Sequence, residues 1–150
     1  MSKPFPLQTL LDLAQEGCDT AAMQLGIVNG HDRDMQQRLQ LLLAYRSDYT
    51  ARLASVARVG MHSVGWRNFR EFIDKIDIAI EQQRELVAKA RQQVESGQRH
   101  WHAQQRRLKS FDTLSRRHSL AQRKSESRQE QKEQDDFALR GFLSQRMIMG

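Results

Sequence analysis

The stretch Leu7 to Val56 reads LQTLLDLAQEGCDTAAMQLGIVNGHDRDMQQRLQLLLAYRSDYTARLASV, and its periodicity decides the fold. Alternate steps of four and three land on Leu7, Leu11, Ala14, Cys18, Ala21, Leu25, Val28, Asp32, Met35, Leu39, Leu42, Arg46, Tyr49, Leu53 and Val56. Only Asp32 and Arg46 in that series are neither apolar nor aromatic. A strict 3.5-residue repeat sustained this long is the seam of a coiled coil. A lone seam buries nothing, so the stretch requires a partner helix.

The partner lies further along the same chain. The pattern stops from Val59 to Gly65, where Gly60 and Gly65 flank Met61, His62, Ser63 and Val64. It resumes as Phe69, Ile73, Ile76, Ile80, Gln83, Val87, Ala90, Val94, Gly97, Trp101, Gln104, Leu108 and Phe111. Two seams joined by a short turn fold back as an antiparallel hairpin. The reading is therefore all-α: one coiled-coil hairpin domain over residues 1–150, with helix 1 over about 7–58, a turn over about 59–65, helix 2 over about 66–140 and a flexible C-terminal tail. Pro4 and Pro6 suit the entry to helix 1. Asn29-Gly30 is a turn signal in isolation. The heptad phase is the same on both sides of it, which favours an unbroken helix. Facing residues then have numbers that add to about 121, twice the turn's midpoint. In that register helix 1 runs out when helix 2 reaches about residue 116. The sequence agrees, since Leu120 and Ala121 are the only apolar residues between Ser115 and Asp136. Helix 2 is expected to be the longer and to project beyond its partner. An isolated apolar cluster follows, at Phe137, Ala138, Leu139, Phe142, Leu143, Met147, Ile148 and Met149.

Composition narrows the function classes. The chain of 150 residues is 39% hydrophobic and 28% charged, with net charge +6, eight glycines and two prolines. That balance suits a helical protein with little interior and allows acidic partners. A single cysteine, Cys18, excludes an internal disulfide and falls on the seam, where it reads as a small buried hydrophobe. No signal peptide and no apolar run of the ~20 residues a membrane helix needs is visible, so a cytoplasmic location is expected.

No catalytic constellation is present. His31, His62, His100, His102 and His118 form no ligand spacing, and His100 and His102 diverge on a helix. The phosphate-loop, dinucleotide and HExxH signatures are missing. No metal, cofactor or small-molecule substrate is expected, and the chain is not read as an enzyme. Residues 99–128 hold nine Lys or Arg against two acids, a segment charge of +7. A solvated coiled-coil flank accounts for this first, docking on an acidic protein second, and nucleic-acid binding last, because no recognition motif accompanies the charge. The sum rule also draws two aromatic clusters together. Leu42 meets Ala79, Tyr45 meets Ile76 and Tyr49 meets Phe72. Such a patch is either a wider core near the turn or an exposed binding face.

The segments LQTLLDLAQEGCDTAAMQLG (7–26), LLLAYRSDY (41–49) and WRNFREFIDKIDIAIEQQ (66–83) resemble the FliJ family of the bacterial flagellar export apparatus. The resemblance implies a stalk-like hairpin, similar to the central stalk of rotary ATPases. Its implied partners are the hexameric flagellar export ATPase, the cytoplasmic domain of the export gate and export chaperones. It also implies a peripheral place at the inner membrane, reached only through the gate. The family's gate-binding surface maps onto Leu42, Tyr45, Tyr49, Phe72, Ile76 and Ala79, with Arg38 and Gln83 at two flanking positions. The ATPase contacts implied are at the ends remote from the turn: Leu7, Leu10, Arg116, Arg117, Arg123, Lys124, Phe137 and Phe142. The alternatives are the stalk protein of a virulence type III secretion system, a basic coiled coil on nucleic acid and a purely structural coiled coil.

Overall fold

The computed structural model describes residues 4–60 and 62–149. Two helices account for nearly all of them: α1, Gln8–Val59, and α2, Ser63–Met149. There is no strand among the described residues, and α1 and α2 pack on each other as an all-α hairpin.

The entry to α1 follows from Pro4 and Pro6. The chain turns there, with the Gln8 amide donating to the Phe5 carbonyl at 3.1 Å and the Leu11 amide to the Leu7 carbonyl at 2.9 Å. The helix then continues through Gly26, Asn29 and Gly30 without interruption. Any break would have shifted the seam, and seam burial outweighs the ~1 kcal/mol that an interior glycine costs.

At the turn, Gly60 has φ of +97°, a left-handed conformation that suits a residue with no Cβ just past a helix end. The turn is shorter than the sequence suggests. α2 starts at Ser63 and takes in Gly65, its first turn closed by the Trp66 amide donating to the His62 carbonyl at 3.0 Å. Of the two glycines, only Gly60 carries the reversal. Met61 lies outside the described residues. The far end of α2 also differs from the expected boundary near residue 140: the helix runs to Met149. Most of the last eight side chains are good helix formers, and Gly141 alone does not stop a helix.

Burial follows the two seams. In the unit Asp19–Ala103, the side chains buried are Ala21, Met35, Ile76, Ile80, Gln83 and Ala90. Each stands on a four-three step. Leu25, Val28, Leu39, Leu42, Leu53, Phe69, Ile73, Val87 and Val94 are half-buried along the same lines. Fully burying a side chain such as Ile80 contributes about 1.5–3 kcal/mol. Gly97 marks a close approach: a Cβ there would stand 3.3 Å from Leu25 Cδ1 and 3.4 Å from Val28 Cγ2. The second unit comprises Met1–Cys18 and Gln104–Gly150. Ala14 and Cys18 are buried in it, and the protected positions of α2 end at Gln122. The ring of Phe5 lies 5.5 Å from that of His118. His118 is therefore half-buried, although its arginine neighbours suggest a fully solvated side chain. From Arg123 to Met149 every position is exposed.

Gly26 has open space where a side chain would stand. Gly26→Ala should therefore raise stability by about 0.5–1 kcal/mol, since it adds helix propensity and creates no clash. Thermal melting by circular dichroism checks this, and a lowered midpoint would show α1 strained at that point.

Candidate functional site

The six residues of the expected gate surface all fall in the unit Asp19–Ala103, on and beside the two seams. Their exposure divides them. Tyr45 is 52% exposed and Phe72 41%, while Ile76 is 8%. Leu42, Tyr49 and Ala79 lie between these extremes. The reason is heptad position. Tyr45, Phe72 and Ala79 precede a seam residue by one step and so flank the interface along one edge, whereas Ile76 is on the seam. Tyr49 joins core to edge: its ring centroid is 4.3 Å from that of Phe72 and 6.1 Å from that of Phe69. Ring pairs at such spacings are favourable and hold Phe72 in place. The patch thus combines the two readings left open by the sequence, a wider core under Tyr49 and Ile76 and an exposed aromatic edge at Tyr45 and Phe72.

The two flanking positions separate as well. Arg38 is exposed. Gln83 is buried, and its amide donates to the Met35 carbonyl at 2.9 Å, with Met35 Sδ at 3.5 Å. A helical carbonyl has a second lone pair, so it can accept this bond besides its own. The bond satisfies Gln83 inside the seam, and the side chain is not available as a rim contact.

The polar breaks in seam 1 have different solutions. Asp32 accepts a bond from Gln36 Nε2 at 3.0 Å. Arg46 reaches across to Asp77, with Nε to Oδ1 at 2.5 Å and Nη2 to Oδ2 at 3.4 Å. The hydrogen bond from Arg46 holds the Asp77 carboxyl below its usual range and raises the Arg46 guanidinium above its own. Both side chains are more than two-fifths exposed, so the pair contributes little net stability.

The eight residues expected to meet the ATPase all belong to the other unit. Leu7 is half-buried and Leu10 is 37% exposed. Arg116, Arg117, Arg123 and Lys124 are exposed on α2, with Arg116 Nε 3.2 Å from Asp112 Oδ2. Phe137 and Phe142 are 80% and 59% exposed. Around them Leu139, Leu143, Met147, Ile148 and Met149 are exposed too, a concentration of apolar surface that usually marks a contact. No group of acidic, histidine or cysteine side chains able to hold a metal ion occurs among the described residues, and no helix is long and apolar enough to cross a membrane.

The family model described as "Flagellar FliJ protein" matches residues 2–147. A curated relative of that name from Salmonella typhi is 32% identical over 143 residues, covering 95% of this chain and 97% of the relative. One from Escherichia coli strain K12 has the same identity and coverage. A match spanning both seams, the turn and the α2 arm is one that shared coiled-coil periodicity over a short window does not give, and the chain belongs to the FliJ family of flagellar proteins.

Proposed function

We propose that the chain is a non-enzymatic component of flagellar protein export, a stalk-like hairpin that joins the export ATPase ring to the cytoplasmic domain of the export gate and assists in handling export chaperones. The supporting observation is the division of exposed surface. The Tyr45–Phe72 edge lies in one unit, and the basic and apolar stretches of α2 lie in the other. Family membership supplies the flagellar setting. With no chemistry of its own, the chain acts on ATP turnover by favouring one arrangement of the ring it binds. Association with the inner membrane follows indirectly, through the gate.

The basic segment provides the first test. Arg116, Arg117, Arg123 and Lys124 are exposed and carry like charge, so their contribution to docking is electrostatic. Replacing the four with glutamine should weaken binding to the ATPase at low ionic strength and flatten the dependence of affinity on salt. Titration over a salt series reads both. If wild-type protein instead binds an RNA or DNA probe at micromolar concentration in physiological salt, nucleic acid becomes the better account of that segment.

A further inference from the structure

A heptad seam does not by itself fix how two helices are paired. Sliding α2 by one heptad against α1 keeps seam positions facing seam positions, so the repeat by itself does not forbid the slip. The turn tolerates it as well. A slip that raises the sum of facing numbers by about seven moves the midpoint by about three and a half residues, from Gly60 onto Val64–Gly65. Gly65 is a second residue free to adopt a left-handed conformation. A slip the other way would put Ala57 and Arg58 at the reversal, where no glycine is available.

Charge separates these registers. Arg46 pairs with Asp77 in the structure. One heptad along α2 in either direction the equivalent position is an arginine, Arg70 on one side and Arg84 on the other. Each single-heptad slip therefore exchanges an attraction for an arginine–arginine contact. The tolerated slip, with its turn at Gly65, meets Arg84.

We propose that Arg46 and Asp77 select the register of the hairpin, and so position the Tyr45–Phe72 edge, by attracting in the observed pairing and setting arginine against arginine in the neighbouring ones. Arg46 stands on the seam and Asp77 follows the seam residue Ile76, on the side away from Tyr45, Phe72 and Ala79, so neither forms part of that edge. Their role is to decide which α2 residues stand beside Tyr45. A slip of one heptad would carry Phe72 and Ala79 about 10 Å along the edge. The significance for the gate rests on the function proposed above; the register itself does not.

Spin labels test the register directly. With Cys18→Ala removing the native thiol, cysteines at the exposed positions Gln40 and Ser96 carry the labels, and pulsed electron paramagnetic resonance reads their separation. The parent protein should give one distance. Arg46→Asp with Asp77→Arg restores an ion pair in the observed register, but the aspartate at 46 is now equally attracted to Arg84. A second distance, displaced by about 10 Å for one heptad, should appear with helix content unchanged. Adding Arg84→Asp should return the protein to a single distance. A swapped variant that unfolds, or that keeps only the parent distance, overturns the proposal, because an ion pair acting locally would be fully replaced by its mirror image. Retention of two distances after Arg84→Asp overturns it as well. Gate binding enters none of these outcomes, so a failure here is distinct from a failure of the docking patch.

Discussion

Tyr45→Ala should lower affinity for the cytoplasmic domain of the export gate roughly thirtyfold, the effect of losing an anchor of ~2 kcal/mol. Tyr45 is 52% exposed and stands one step before the seam residue Arg46. Its ring is therefore free to enter a pocket on a partner. For the same reason truncation opens no cavity, and melting temperature and helix content should be nearly unchanged. Tyr49 is the contrasting residue. It stacks on Phe72 at 4.3 Å and contacts Phe69, so its truncation combines lost binding with part of the ~3–5 kcal/mol that removing a buried aromatic costs. A gate titration and a thermal melt on the same Tyr45→Ala preparation distinguish the cases. Unaltered gate affinity would remove this edge from the binding surface. A collapsed melt would place Tyr45 in the core.

Deleting residues 135–149 should abolish high-affinity binding to the export ATPase and leave the hairpin as stable as before. Phe137 and Phe142 are 80% and 59% exposed, and Met147, Ile148 and Met149 are more exposed still. If two aromatic anchors at ~2 kcal/mol each are lost, affinity falls by roughly a thousandfold. Stability is insensitive because, among the described residues, no position beyond Gln122 is protected from solvent, so the deletion removes no seam contact. The basic residues Arg116, Arg117, Arg123 and Lys124 remain in the truncated chain. Residual salt-sensitive binding is therefore expected, and it would separate the electrostatic share of docking from the apolar share. Unaltered ATPase affinity would assign the contact to the N-terminal residues Leu7 and Leu10 or to another surface.

How much of this was legible in the sequence depends on the residue. Among the described residues every buried side chain lies on a predicted seam, because a 3.5-residue repeat and burial are two expressions of the same packing. The register was legible too: Tyr49 meets Phe72 as the sum rule requires, and Gly17 meets Gln104. Gln83 shows where such reading ends. Its type suits either a rim contact or a core hydrogen bond, and the choice was made by the Met35 carbonyl, which periodicity does not reveal. Ile76 belongs to the expected gate surface with its neighbours, yet its seam position keeps it 8% exposed. The end of α2 was misplaced for another reason. A helix with no partner carries no apolar rhythm to mark its length, and the single helix-ending signal near the expected boundary, Gly141, is not enough to stop it. Phe5 covering His118 was missed because a residue ahead of a helix has no heptad position to read.

In the proposed function, one chain holds two partners at once. It is tested most directly by immobilising the export ATPase and measuring how much gate cytoplasmic domain is retained as the chain is titrated in. Retention should rise with added chain, be lost with Tyr45→Ala although the chain itself stays bound, and be lost together with the chain when residues 135–149 are deleted. Gate domain that competes with the ATPase for the chain, so that retention never rises, would contradict it.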